Sequence, residues 1–325
     1  MPHAIRIHEH GGPEVLRWEP VEVPAPGPGE LRIRHTAVGL NFIDIYYRTG
    51  LYQPPGLPFT PGSEAAGVVE EVGEGVEGFK PGDRVAYGSA SLGAYSEQRL
   101  VAADRVVHLP DNIDDATAAA MMLKGMTAQY LLRRTYRVEA GDTILIHAAA
   151  GGVGKIVCQW AKLLGARVIG TVGSDEKAEE VRQLGCDHVI VYSREDFVAR
   201  VREITDGRGV DVVYDSVGAD TFMKSLDCLR PLGMMVSFGQ SSGKIPPFDV
   251  GILAQKGCLF LTRPTLFTYT ATREDLVATA EELFEVVGSG KVRIDIGQRF
   301  PLKEAAAAQQ ALEERRTTGS TVLLP

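Results

Sequence analysis

Short Val-rich runs broken by glycine and proline fill the chain from residue 1 to about Ile113. PGPGELRIRHTAVGL, GVVEEVG, GDRVAYG and AYSEQRLV set a few apolar residues between turn formers, which predicts short strands joined by tight turns. From Asp114 the pattern changes. DDATAAAMMLKGMTAQYLLRRTY predicts a helix with Asp114 or Asp115 at its start, where a short acceptor side chain meets the orphan N–H groups of the first turn. A second rhythm begins at Thr143. TILIHA is a short apolar run, followed by AAAGGVG and then by Val153, Val157, Trp160, Ala161 and Leu164 at helical spacing, closed by Gly165. Runs at 167–172, 188–191, 210–214, 234–238 and 257–261 continue the series, with helical stretches between them. Apolar strands alternating with helices imply βαβ units and a mostly parallel sheet covered on both faces. After the helical stretch REDLVATAEELFEVVGSG, strand-like pattern returns at 292–296 and 321–324, on either side of EAAAAQQALEERRT. The expected class is therefore α/β. A β-rich domain is built from both ends, residues 1–124 and 266–325, and a doubly wound parallel-sheet domain occupies 125–265.

The length of 325 residues suits two domains, each with its own core. With 44% apolar and 23% charged residues the composition excludes a disordered or fibrous chain. A net charge of −8 argues against a nucleic-acid binder. No apolar run is long enough to span a bilayer, and MPHAIRIHEHGG lacks the apolar stretch of a signal peptide. A cytoplasmic enzyme is expected. Cys158, Cys186, Cys228 and Cys258 are widely spaced, without a CxxC or Cys/His cluster, and read as small buried hydrophobes in a reducing compartment.

Ala149-Ala150-Gly151-Gly152-Val153-Gly154 stands where a GxGxxG loop would, with alanine for the first glycine. The middle glycine lets the backbone approach a pyrophosphate, and the last permits close helix–strand packing. The helix start offers N–H groups and a positive dipole end. Sitting after an apolar strand and before an amphipathic helix, the loop predicts a dinucleotide site, with Gly151, Gly152 and Val153 against the phosphates. An NAD site carries an acid at the end of the next strand. Here that place reads Val172-Gly173-Ser174, with no carboxylate until Asp175, which is better placed to cap the following helix. Ser174 and Lys177, one helical turn apart, offer a hydroxyl and a cation to a 2′-phosphate. Tyr192, ending the third strand, can cover the adenine or donate to that phosphate. NADPH is the expected cofactor.

Gly141-Asp142, Leu145, Ala149 to Gly152, Gly154, Gln159 and Lys162 together resemble the signature of the quinone oxidoreductase (zeta-crystallin-like) branch of the medium-chain dehydrogenase/reductases. Pro61-Gly62-Ser63-Glu64-Ala65-Ala66-Gly67 and Gly82-Asp83-Arg84-Val85 extend the resemblance over essentially the whole chain. It implies a GroES-like β-rich domain plus a Rossmann domain, with the active site in the cleft between. Zinc members of that superfamily have a histidine where Ser63 stands and a cysteine near Asn41. They also carry a four-cysteine lobe after the GDRV segment, where SASLGAYSEQ contains none. Without thiolate and imidazole ligands no metal is expected.

A reductase without a Lewis acid needs an acceptor that delocalises the incoming charge itself, and a quinone or other conjugated carbonyl does so. In proteins similar to this one, GLNFIDIYYRTGLYQ lines the cleft beside the nicotinamide. Asn41, Asp44, Tyr46 and Tyr52 are thus candidates to position the acceptor and hydrogen-bond its oxygen, with Phe42 beside the cofactor. The resemblance also places Tyr130 near phosphate or ribose, and Ser216, Phe238, Gly239 and Gln240 beyond strand ends. Thr262, Arg263 and Pro264 fall near the carboxamide, and Arg315, or its neighbour Arg316, at the 2′-phosphate. It further implies a homodimer formed through GCLFLTR. The activity expected is NADPH-dependent quinone reduction. The alternatives are an alkenal or enone reductase and a non-catalytic NADPH-binding protein of the crystallin or RNA-binding kind.

Overall fold

Alternation along the N-terminal third becomes seven short strands in the computed structural model, which describes residues 1–325. They are β1 (His3–Ile7), β2 (Leu16–Pro20), β3 (Glu30–Leu40), β4 (Ala65–Val72), β5 (Arg84–Tyr87), β6 (Gln98–Ala102) and β7 (Val107–His108). In β3, Leu31 and Ile33 are buried while Arg32 and Arg34 between them face outward, the period-two signature of a half-buried strand. Helix α1 (Phe42–Arg48) follows β3 directly. Helix α2 (Asp115–Tyr130) starts where Asp114 accepts the Thr117 N–H at 2.9 Å, so Asp114 is the capping acid.

The chain divides into two units, described separately. Unit 1 contains Met1–Met126, Thr270–Gly288 and Ile294–Pro325; unit 2 contains Thr127–Tyr269 and Ser289–Arg293.

In unit 2 the apolar runs become β8 (Thr143–Ile146), β9 (Arg167–Val172), β10 (His188–Val191), β11 (Val210–Asp215), β12 (Leu229–Ser237) and β13 (Phe260–Thr262). They form one parallel sheet in the order β10-β9-β8-β11-β12-β13, the doubly wound arrangement in which the order reverses beside the first strand. All four residues of β8 are buried, as a strand covered on both faces requires. The helices between are α3 (Gly152–Leu163), α4 (Asp175–Gln183), α5 (Phe197–Ile204), α6 (Phe222–Asp227) and α7 (Gly251–Gln255), and α8 (Leu266–Tyr269) follows β13. Leu145, Ile169, Ile190, Val213, Phe222 and Met235 lie in the core of this unit.

The C-terminal part adds α9 (Arg273–Gly288), β14 (Ile296–Pro301), α10 (Ala305–Glu313) and β15 (Ser320–Leu324) to unit 1. Strand β15 lies antiparallel to β3, with Val322 opposite Gly39, so the two chain ends share one seven-stranded sheet.

Several expectations differ from the structure. The strand predicted at 292–296 starts only at Ile296. Both backbone groups of Arg293 bond the side-chain amide of Gln159 on α3, at 2.9 and 3.0 Å, and this holds Ser289–Arg293 in unit 2. That short segment and Leu266–Tyr269 fall outside the domain to which 266–325 was given, and residues 125 and 126 belong to unit 1 rather than to the parallel-sheet domain. The strand predicted at 257–261 starts at Phe260, because Gly257 and Cys258 have φ of +114° and +56°, values no strand accommodates. Cys258, expected to be buried like the other three cysteines, is exposed there. Finally, the strand expected at 234–238 begins earlier, at Leu229, and ends at Ser237; Phe238 turns out, its N–H donating to the Asp215 carbonyl at 2.8 Å.

Candidate active site

Asn41 stands at the junction of β3 and α1, in extended backbone conformation, as the N-cap of the helix. Its backbone N–H donates to Asp44 Oδ2 at 2.9 Å, the half of a capping box in which the third helical residue reaches back. The Tyr95 hydroxyl donates to the same oxygen at 3.0 Å. Asp44 is 0% exposed. Burial pushes its carboxyl up to about 7, against the Asn41 N–H, the Tyr95 hydroxyl and the Lys124 ammonium, all of which favour the ionised form. Asp44, a candidate to bind the acceptor, is thus sealed inside unit 1. It cannot touch a substrate there, and it acts as a positioning residue that fixes the start of α1.

The Asn41 side chain meets a second buried acid. Its Nδ2 donates to Glu64 Oε2 at 2.7 Å, and Lys124 Nζ donates to the same oxygen at 3.1 Å. Glu64 Oε1 accepts the Leu123 N–H at 2.7 Å. Glu64 is 0% exposed and Lys124 6%. This packing depends on Gly39, where a Cβ would lie 2.2 Å from both Glu64 Oε2 and the Ala119 carbonyl. Asn41 was expected to donate to the acceptor with its amide; one of its two side-chain N–H groups is already committed to Glu64.

The tyrosines form an aromatic group on α1 and the turn after it. Tyr46 and Tyr52 meet edge to face at 5.2 Å between centroids, Tyr47 and Tyr52 at 5.8 Å, and Phe42 lies 6.3 Å from Tyr46. The Tyr52 N–H donates to the Tyr46 carbonyl at 3.0 Å. Tyr46, Tyr52 and Phe42 are half-buried, leaving part of each ring accessible. Also in unit 1, Arg315 follows α10 in the left-handed region at φ +58°, while the Arg316 guanidinium pairs with Glu314.

In unit 2, β8 leads through His147 to a turn in which Ala148 has φ +53° and Gly151 caps α3. A Cβ on Gly154 would lie 2.4 Å from the Ala148 carbonyl and 2.7 Å from Ala149 Cα, so only glycine lets the helix sit this close to the strand end. The N–H groups of Gly152, Val153 and Gly154 have no carbonyl within the helix, and no acid lies in its first turn. Together these give the helix end the form that anions favour.

At the end of β9, Tyr192 lies over Gly173: a Cβ there would meet the tyrosine oxygen at 2.8 Å. Ser174 caps α4, its Oγ accepting the Lys177 N–H at 3.4 Å. Asp175, expected in that capping role, is instead the first helical residue, because Ser174 already occupies the extended cap position. The Arg194 guanidinium pairs with Asp175 and holds its carboxyl below the usual range. Gly173, Ser174, Lys177 and Tyr192 are therefore neighbours, with the nearby acid neutralised.

Beyond β11 and β12, Ser216 and Gly239 touch backbone to backbone, and a Cβ on Gly239 would lie 2.6 Å from the Ser216 carbonyl. The Ser241 N–H donates to that carbonyl at 3.1 Å, and the Arg263 guanidinium donates to the Ser237 carbonyl at 3.0 Å. Phe238 and Gln240 flank Gly239, while Thr262 ends β13 and Pro264 is buried just after it. Tyr130, a candidate to contact phosphate or ribose, is packed against a second ring. It is 2% exposed, and its ring lies flat on Tyr269 at 4.5 Å and 9°.

Two buried groups escaped the sequence reading. One is the Glu64–Lys124 pair, whose only signal is a lone lysine in the apolar stretch AAAMMLKGM. The other is His147, which bonds Thr171 Oγ1 and Ser225 Oγ at 2.9 Å each, with Ser225 passing on to Asp215 at 3.3 Å. Burial lowers the His147 pKa, and a neutral ring braces the turn at Ala148.

Residues 27–111 match the family described as Alcohol dehydrogenase GroES-like domain, and residues 152–285 the one described as Zinc-binding dehydrogenase. Nowhere in the chain do three or more His, Cys, Asp or Glu side chains gather as a metal centre needs. The acid beside Asn41 already carries an ammonium. The residues do not fit a zinc. A quinone oxidoreductase of Pseudomonas aeruginosa is 57% identical, with 100% of both chains covered. A 2-haloacrylate reductase of Burkholderia sp. is 50% identical, covering 100% of this chain and 99% of its own. The crystal structure of Escherichia coli quinone oxidoreductase complexed with NADPH superposes with a TM-score of 0.98 at 50% identity, covering 99% of this chain and 100% of the other. Full-length identity at this level, over both units, establishes that the chain belongs to the medium-chain dehydrogenase/reductase family, in its quinone oxidoreductase branch.

Proposed function

We propose that this protein is an NADPH:quinone oxidoreductase that works without a metal ion. The observation that carries the cofactor choice is the end of β9. Ser174 caps α4 there with Lys177 one helical turn on, Tyr192 lies over Gly173, and the adjacent carboxylate of Asp175 is paired with Arg194. A 2′-phosphate is welcome in such a place, whereas a bare ribose finds no carboxylate to accept from its hydroxyl. The relative from E. coli carries NADPH.

Bound NADPH supplies the reducing equivalents. The N–H groups opening α3 hold the pyrophosphate, and the loops at Ser216, Phe238–Gln240 and Thr262–Pro264 take the nicotinamide end, at the carboxyl edge of the sheet where such folds bind ligands. In unit 1, Tyr46, Tyr52 and the remaining Asn41 N–H position the acceptor and hydrogen-bond its oxygen as charge develops on it. A quinone needs no further polarisation. The testing experiment is NADPH oxidation with a panel of quinones. Acceptor-dependent turnover is expected; tight NADPH binding with no oxidation would make the protein a binding module instead.

The similarity to a 2-haloacrylate reductase favours one other reading, reduction of a conjugated alkene. A large rate preference for an α,β-unsaturated acid or aldehyde over a simple quinone would establish it.

Strand β13 ends the sheet of unit 2 with Phe260 57% and Leu261 37% exposed. An apolar edge strand invites pairing, and a homodimer formed there is part of the proposal. Sedimentation of wild type against Leu261→Lys tests it, since only the variant should run as a monomer.

No helix is long and apolar enough to cross a membrane.

A further inference from the structure

We infer that the buried Glu64–Lys124 ion pair is a positioning device for the reaction, and that it sets which way the Asn41 amide points. The inference rests on the role given to Asn41 above, and its physical basis lies wholly within unit 1.

An ionised carboxylate accepts hydrogen bonds and never donates them. Asn41 faces Glu64 Oε2 at 2.7 Å, so the amide nitrogen must occupy that side and the carbonyl oxygen must turn away. Glu64 is 0% exposed, so no water holds its carboxylate in place. It is held by Lys124 Nζ at 3.1 Å on the same oxygen and by the Leu123 N–H at 2.7 Å on the other. Without Lys124 the carboxylate is free to turn about its remaining contacts, and the acceptor that fixes the Asn41 nitrogen is displaced.

Arg48, the cation on α1, is paired with Glu313. Asp44, also on α1, is a second buried acid, and Tyr95 contributes a hydroxyl engaged with Asp44. Lys124 is thus the cation that holds the Glu64 carboxylate in place. Its ammonium touches no reacting atom; it acts through Glu64 on Asn41.

The test compares Lys124→Gln, Lys124→Arg and Asn41→Ala, alone and as the double variant Asn41→Ala/Lys124→Gln, with thermal melts to confirm folding. Lys124→Gln should lower kcat with a quinone by about tenfold, the scale of a misplaced reacting group, and leave NADPH affinity unchanged. Added to Asn41→Ala it should lower kcat no further, since the residue through which it acts is gone. Lys124→Arg should restore most of the rate. In the cofactor-free protein, the Asn41 side-chain NH2 resonances, identified by their loss in Asn41→Ala, should shift in Lys124→Gln and return toward wild-type positions in Lys124→Arg. Additive losses, an unmoved Asn41 signal or an Arg variant no better than Gln would overturn the inference. If Lys124→Gln does not fold, the Arg variant decides alone: wild-type Asn41 resonances support the inference and displaced ones overturn it. Should wild type reduce no quinone, the functional reading fails, and the resonance shifts still decide the positioning claim.

Discussion

The two units build their polar chemistry in opposite ways. In unit 2 the anion site is made of backbone: a left-handed Ala148, a cap at Gly151, free N–H groups at the start of α3 and a Gly154 with no room for a methyl. In unit 1 the site is made of side chains drawn from distant positions. Asn41 and Glu64 are 23 residues apart, and Glu64 and Lys124 are 60 apart. A site made of backbone tolerates change in side chains but not in local geometry. One made of side chains tolerates modest backbone change and fails when a single partner is lost.

That contrast can be broken most severely at the two crowded glycines. Gly154→Val forces a Cβ to 2.4 Å from a carbonyl, an overpacking cost of about 1–3 kcal/mol. It should abolish measurable NADPH binding in a fluorescence titration. Gly39→Ala makes a comparable clash against Glu64 and should spare NADPH binding while removing quinone turnover. If both variants lose cofactor alike, the separation of tasks is wrong.

Lys177→Ala comes next. A charge-assisted hydrogen bond contributes about 1.5–3 kcal/mol, or roughly 10- to 100-fold in affinity. NADPH should weaken by that amount and NADH hardly at all; equal effects would remove the 2′-phosphate contact from the account.

Asp44 sharpens the unit 1 side through pH. Its carboxyl sits at about 7, raised from 3.8 by burial. A carboxyl raised in the folded state favours folding when protonated, so its contribution is present below about 4 and is lost as pH rises through 7. Asp44→Asn should therefore gain thermal stability relative to wild type between pH 4 and pH 8. A difference in melting temperature that does not change with pH would show that Asp44 is not protonated in this range.

Tyr52→Phe is the mildest. Loss of one neutral hydrogen bond is worth about 0.5–1.5 kcal/mol, a few-fold fall in quinone turnover with cofactor affinity intact. Unchanged kinetics would reduce that hydroxyl to packing against Tyr46 and Tyr47.

The same contrast explains what could be read from the chain alone. Backbone chemistry is written locally. Contiguous apolar runs and a glycine-rich turn announce the parallel sheet and its dinucleotide end, and Asp114 announces α2. Where reading failed locally, a positive φ or a long-range bond intervened. Gly257 and Cys258 delay β13, and Gln159 holds Arg293 away from β14. The side-chain cluster was opaque for a different reason. Nothing in the order of residues says that Lys124 meets Glu64, or that Asp44, which reads as a candidate to meet the acceptor, is wholly enclosed. Tyr130 shows the same limit, since its partner Tyr269 lies far along the chain.

The central claim is that a phosphate-accepting end on β9 and a metal-free acceptor site serve one reaction. The most direct measurement is oxidation of NADPH and of NADH by the purified protein with a simple quinone, in the presence of a chelator. The account predicts quinone-dependent oxidation that resists chelation and favours NADPH by about tenfold or more, the worth of one charged contact. Equal use of NADH, or activity abolished by the chelator and restored by zinc, would contradict it.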